Sequence, residues 1–266
     1  MSATVRAIPA LIGVIHLPAL PGSPRHRESL AAIAEASARD ARALADAGFD
    51  GVMVENFGDA PFEPGTVPPV TVAALTRCAL AVRAAAPGLA LGINVLRNDA
   101  LAALAVAVAA DAQLIRVNVH IGARVTDQGI VEGRAHETLR VRRALGAEHI
   151  QLFCDVDVKH SAPLGARPLA EEAHDLVERA AADAVLVTGT GTGRGADRAQ
   201  IEEAAAATRA PVLVASGVTE STLDDVARAH GVIVGSCLRA DGRAGGPIDP
   251  GRAVAFARAF RARRVG

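Results

Sequence analysis

Eight short runs of almost unbroken apolar character punctuate the chain, at positions 11–16, 51–55, 89–95, 114–119, 150–155, 184–188, 211–215 and 232–235. Runs of this length that stay apolar, rather than alternating with polar residues, read as strands covered on both faces, the condition of a parallel sheet. Longer Ala-rich segments with helical periodicity lie between them, at about 28–47, 70–86, 99–110, 132–145, 169–182, 196–208 and 220–229, and a last one at 249–263 closes the chain. Several begin at a capping residue and stop near glycine, as at Ala47-Gly48 and Leu145-Gly146. Eight strand–helix units in tandem predict an α/β fold, a single (β/α)₈ TIM barrel, with residues 1–266 as one domain. A doubly wound open sheet is the alternative, and it usually needs fewer units.

The polar residues fall where barrel enzymes build their sites, at the C-terminal ends of the strands. Strand one ends in His16 and strand two in Glu55-Asn56. Strand three carries Asn94, followed by Arg97-Asn98-Asp99, and strand four carries Arg116, Asn118 and His120. Strand five supplies Asp155, Asp157, Lys159 and His160. Strand six ends at Thr188-Gly189, strand seven at Ser216-Gly217 and strand eight at Gly235-Ser236. A lone histidine of this kind is more often a satisfied core residue, and helix N-caps account for some of the Ser, Thr and Asn. Packing alone does not call for polar groups at the same point of every unit.

Composition sharpens one position. The chain has 28 Lys and Arg, of which a single residue, Lys159, is lysine. Where Arg serves almost everywhere, a retained lysine marks a place that needs a compact ammonium able to lose its proton. The plain alternative is an exposed lysine that survived by chance. If strand five stays extended, Asp155, Asp157 and Lys159 share one face, and Val156, Val158 and His160 the other. A carboxylate beside an ammonium suits proton transfer, although a structural ion pair at the barrel mouth accounts for it equally well.

Glycine supplies the second signal. Thr188-Gly-Thr-Gly191-Thr-Gly193 follows strand six, and Ser216-Gly217 and Gly235-Ser236 follow strands seven and eight. Barrels often hold a phosphate on the loops after strands seven and eight, because glycine lets backbone N–H groups approach an anion closely. The alternative is that glycine merely permits tight turns. The loop from His16 to Pro24 carries three prolines, and the loop after Glu55 carries Phe57, Asp59 and Phe62, so both rims of the mouth have a stiff or bulky wall.

The net charge of −1 argues against a nucleic-acid binder, and with six Phe and no Trp or Tyr there is little to stack on bases. Cys78, Cys154 and Cys237 have no metal-finger spacing and no disulfide pattern, which predicts ordinary buried thiols in a reducing cytoplasm. No stretch is long and apolar enough to cross a bilayer, and no signal peptide is evident.

The segments Ile12–His16 with the following Leu-Pro-Ala-Leu-Pro-Gly-Ser-Pro24, Gly51-Val-Met-Val-Glu-Asn-Phe-Gly-Asp-Ala-Pro-Phe62 and Gly92-Ile-Asn-Val-Leu-Arg-Asn-Asp99 resemble the BtpA/SgcQ family. The resemblance continues through Ile115-Arg-Val-Asn-Val, Thr126-Asp-Gln-Gly129, Asp155-Val-Asp-Val-Lys-His160, Thr190-Gly-Thr-Gly193 and Ala215-Ser-Gly-Val-Thr219, with Ala215 standing where Gly is more usual. It implies a barrel allied to the ribulose-phosphate-binding barrels, and a family linked to photosystem I biogenesis in cyanobacteria and to sugar-utilisation gene sets elsewhere. Asp157-x-Lys159 is also similar to the Asp-x-Lys-x-x-Asp motif of orotidine-monophosphate-decarboxylase-like barrels, but the last position is Ala162 and the strand is the fifth.

Three functions follow as expectations. The leading one is an enzyme acting on a phosphorylated sugar or nucleoside-derived compound, with Lys159, Asp155, Asp157, His16, Glu55 and His160 as catalytic candidates. Asn94, Asn118, Thr188, Gly189, Gly191, Ser216, Gly217, Gly235 and Ser236 would bind the substrate. The second is a metal-dependent hydrolase on His16, Glu55, Asp155 and His160, although no cofactor is expected under the first. The third is a non-catalytic assembly factor for a membrane complex. A homo-oligomer is expected, with neither nucleic acid nor membrane insertion.

Overall fold

The computed structural model describes residues 7–189 and 197–264. In chain order the strands are β1 (Leu11–His16), β2 (Gly51–Glu55), β3 (Ala90–Asn94), β4 (Leu114–Val117), β5 (Ala123–Thr126), β6 (Gly129–Glu132), β7 (Gln151–Val156), β8 (Ser161–Pro163), β9 (Ala184–Val187), β10 (Val212–Ala215) and β11 (Gly231–Val234). The helices are α1 (Leu30–Asp46), α2 (Pro69–Ala85), α3 (Ala100–Ala109), α4 (Ala135–Ala144), α5 (Leu169–Glu178), α6 (Arg198–Ala207) and α7 (Pro250–Ala262). All strands except β5, β6 and β8 run parallel and close into an eight-stranded barrel, with β11 pairing back onto β1. The chain therefore forms the predicted (β/α)₈ cylinder and not an open sheet.

Strand residues point alternately to the two sides of the wall. Outward positions such as Leu11, Ile15, Val54, Ile93 and Leu152 join the helices' Ile33, Leu44, Leu75 and Phe256 in one core. Inward positions form a second, with Ile12, Val14, Met53, Leu114, Phe153, Leu186, Leu213 and Ile233 filling the cylinder. Gly92 shows how tightly: a Cβ there would lie 2.7 Å from Leu114 Cδ1 and 2.9 Å from Met53 Cε. Large neighbours thus occupy the space that glycine leaves.

Helix starts are set by short polar side chains. Ser29 Oγ accepts from Ala32 N–H, and Asp99 accepts from Ala102 N–H while its other oxygen takes Val67 N–H. Asp197 and Gln200 form a capping box on α6.

Two expectations are corrected. The segment 220–229 is not an α-helix but a 3-10 turn at Glu220–Thr222 followed by further turns. Its backbone bonds span three residues, as in Thr222 N–H to Thr219 C=O and Asp225 N–H to Thr222 C=O. Thr222 Oγ1 also accepts from Thr219 N–H, so side-chain hydroxyls compete with the helical ladder. The stretch after the fourth barrel strand is a hairpin, and α4 starts three residues later than 132. In it β5 pairs antiparallel with β6 and with β8, so the loops after β4 and β7 are joined in one three-stranded sheet.

Candidate functional site

Register places the polar layer of the mouth. His16 pairs with Glu55, Glu55 with Asn94, and Asn94 with Arg116, on four neighbouring strands and all facing inward. Asp155 stands two residues beyond Phe153, the partner of Arg116, on the same face of β7. Arg116 reaches it as a fork, Nε to Oδ1 at 3.1 Å and Nη2 to Oδ2 at 3.0 Å. Asn118 Nδ2 donates to the same Oδ2 at 2.7 Å, and Asn94 Nδ2 donates to Asn118 Oδ1 at 3.0 Å. Five of the expected residues (His16, Glu55, Asn94, Asn118 and Asp155) thus line one buried floor.

The extended reading of strand five is corrected beyond Val156. Asp157 has φ +55° and His160 φ +54°, so the backbone turns and alternation is lost. Asp157 leaves the floor: its Oδ1 accepts from Arg124 Nη1 at 2.9 Å, and Arg124 also binds both carboxylate oxygens of Glu172 on α5. Asp155 and Asp157 are therefore held by different arginines. His160 is exposed on the rim. Lys159 turns across the mouth instead: its Nζ donates to Ser216 Oγ in the turn after β10, while its C=O accepts from Arg97 Nη2 at 2.6 Å. Thr188 Oγ1 holds the same loop by donating to the Asp157 C=O at 2.9 Å. Gly189 is buried beside it, and Gly191 lies outside the described residues.

The turns after β10 and β11 complete the rim. Ser216 has φ +137° and Gly217 φ +70°. Gly235 lies against His16, where a Cβ would come within 2.8 Å of the ring's Cε1, and Ser236 opens a 3-10 turn ending at Leu238. Arg239 follows, 1 % exposed, donating to the carbonyls of Val14 and Gly235 and so tying β11 to β1.

Burial governs the protonation states. His16 is pushed down to about 3, first by burial and then by Arg239 and Arg116, so it is neutral at pH 7. Gly245 N–H donates to its Nδ1, which assigns the ring proton to Nε2, 3.8 Å from Glu55 Oε1. Burial raises the Glu55 carboxyl against the pull of Arg116. Burial, aided by Arg116, lowers the Lys159 ammonium, with Asp155 and Glu55 opposing. With Arg116 forked onto Asp155 and Arg239 engaged by backbone carbonyls, Lys159 and Arg97 are basic side chains of the mouth without an ion pair. Basic groups so placed favour an anion.

Among the described residues, no three His, Cys, Asp or Glu side chains gather as a cation would require. Asp155 is occupied by Arg116 and Asn118, and His160 is exposed. Burial pushes the thiols of Cys78 and Cys237 up, to about 11 and about 12, and they are inert at neutral pH.

Arg97, Arg116, Arg124 and Arg239 were not among the expected catalytic or binding residues. Arg97 and Arg116 stood at strand ends, where position was a usable signal. Nothing in so arginine-rich a sequence distinguishes Arg124 or Arg239.

The BtpA family model matches residues 8–262. Photosystem I biogenesis protein BtpA of Synechocystis is 44 % identical over 254 residues, covering 94 % of this chain and 87 % of that protein. Among solved structures, thiamine phosphate pyrophosphorylase from Pyrococcus furiosus superposes with a TM-score of 0.60 at 11 % identity, covering 96 % of each chain. N-(5'-phosphoribosyl)anthranilate isomerase from the same organism superposes with a TM-score of 0.59 at 13 % identity, covering 95 % of this chain and 99 % of that one. Both likenesses are of fold, the closed eight-stranded barrel described above. No described helix is long and apolar enough to cross a membrane.

Proposed function

The chain belongs to the BtpA family, and from that membership we propose an enzyme acting on a phosphorylated sugar or nucleoside-derived small molecule at the C-terminal face of its barrel. The observation that carries this reading is Lys159 Nζ on Ser216 Oγ, which brings the one lysine to the turn where such barrels hold phosphate. The phosphate sits on the Ser216-Gly217 and Gly235-Ser236 turns. Lys159 moves a proton or forms an iminium with a substrate carbonyl; burial and Arg116 lower its ammonium pKa, so its proton is more easily given up than that of an exposed lysine. Neutral His16 and the raised Glu55 carboxyl serve as acid and base on the far side, while Asn94 and Asn118 orient hydroxyls. The reaction class is isomerisation, aldol or retro-aldol cleavage, or glycosidic-bond cleavage. We place the protein in the cytoplasm, in sugar metabolism, as one domain in a homo-oligomer that light scattering of the purified protein would reveal.

Borohydride reduction in the presence of ribulose 5-phosphate tests the covalent version, with an added mass at Lys159 expected. Turnover without a trapped adduct leaves proton transfer as the role of the amine. Lys159→Arg, which keeps charge but cannot deprotonate, is expected to lower kcat about 100-fold or more. If the protein binds no phosphate ester saturably, the reading fails.

A second reading, an assembly factor for a membrane complex, is favoured by the name of the Synechocystis relative. It predicts that Lys159→Ala fully rescues a deletion strain, an outcome the enzymatic reading forbids.

A further inference from the structure

One cation in the mouth is left over by a single phosphate. Arg97 follows β3, diametrically across the barrel from the Ser216-Gly217 turn after β10. It is only 9 % exposed, yet it makes no ion pair with any described carboxylate. Its side chain's hydrogen bond runs from Nη2 to the Lys159 C=O, and its other N–H groups have no described partner. A buried guanidinium without a direct ion pair is costly. Asp155, Asp127 and Glu55 favour its charge only through space, Asp155 being forked by Arg116 and Glu55 buried beside His16. On the same strand Asn94, 1 % exposed, leaves its Oδ1 without a partner. A cationic fork and a neutral acceptor thus both stand unmet at the end of β3.

Lys159 gives the scale. Its C=O touches Arg97 and its Nζ touches Ser216, so the two rims are separated by roughly one lysine residue. That is the span of a small phosphorylated sugar. We propose that the substrate is acidic at both ends: its phosphate lies on the turns after β10 and β11, a second anionic group is forked by Arg97, and a hydroxyl between them donates to Asn94 Oδ1. The second group is a phosphate or a carboxylate, the two planar or tripodal anions that a guanidinium pairs with through two N–H groups. This inference rests on the phosphate reading above.

Titration calorimetry tests it with ribose 5-phosphate as the singly acidic probe, and ribulose 1,5-bisphosphate and 6-phosphogluconate as the doubly acidic ones. The native protein is expected to bind at least one doubly acidic probe about tenfold more tightly, or better, than ribose 5-phosphate. Whichever of the two is preferred identifies the second group. Arg97→Gln is expected to abolish that preference while ribose 5-phosphate binds as before, and Arg97→Lys to recover it in part. Equal loss for all three probes in Arg97→Gln would mean that Arg97 merely supports the Lys159 loop, and it overturns the inference. So does a native preference near one with ribose 5-phosphate still bound, which leaves the phosphate reading standing. If none of the three binds, both fail together.

Discussion

At the scale of single residues, the mouth is a set of buried charges that depend on one another. Asp155 takes three hydrogen bonds from Arg116 and Asn118 at full burial. Asp155→Ala strands the Arg116 guanidinium, and a loss of about 3–5 kcal/mol of unfolding free energy in denaturant titrations is expected, with Asp155→Asn losing less. An unchanged midpoint would show that water reaches Arg116 freely. His16 makes a pH prediction. Its folded-state pKa, about 3, lies below the 6.5 of an unfolded histidine, so the unfolded chain binds the extra proton. The contribution of neutral His16 is complete above pH 6.5 and is lost as pH falls from there toward 3. Relative to His16→Gln, the native protein is expected to lose about 2 kcal/mol between pH 7 and pH 5. Parallel pH curves for the two proteins would refute the assignment.

At the scale of elements, the three-stranded sheet decides where Lys159 can be. Arg124 on β5 grips Asp157 after β7 and Glu172 on α5, so one side chain ties the hairpin to the Lys159 loop and to the helix behind it. Arg124→Ala is expected to raise amide hydrogen exchange across residues 123–132 about tenfold or more, with little change in the barrel strands. This sheet was not legible in the sequence. Its strands are only three or four residues long, and β5 alternates a buried arginine with an exposed valine, so no apolar run announces it. The barrel strands were legible because burial on both faces leaves little room for polar residues. That His16, Glu55, Asn94, Arg116 and Asp155 share the inner face comes from the register between strands, while the sequence showed only that each lies at a strand end. The departure of Asp157 from strand alternation was not legible, because a positive φ at a non-glycine residue leaves no mark in composition.

At the scale of the molecule, the cylinder is held shut by its interior as much as by its ladder. Phe153 is fully buried among Leu114, Leu186 and the other inward residues. Phe153→Ala opens a cavity at the centre, and a loss of about 3–5 kcal/mol is expected in a single transition shared by fluorescence-free probes such as circular dichroism and calorimetry. A second, early transition would mean that the halves of the wall melt separately. The arginine bias has a practical consequence at this scale. Because Lys159 carries the sole side-chain amine, reductive methylation with a carbon-13 label would leave just one side-chain resonance, reporting from the barrel entrance beside that of the α-amine, which Lys159→Arg would distinguish. Any guest that settles there announces itself by moving that peak, so the chain carries its own spectroscopic beacon for screening candidate metabolites.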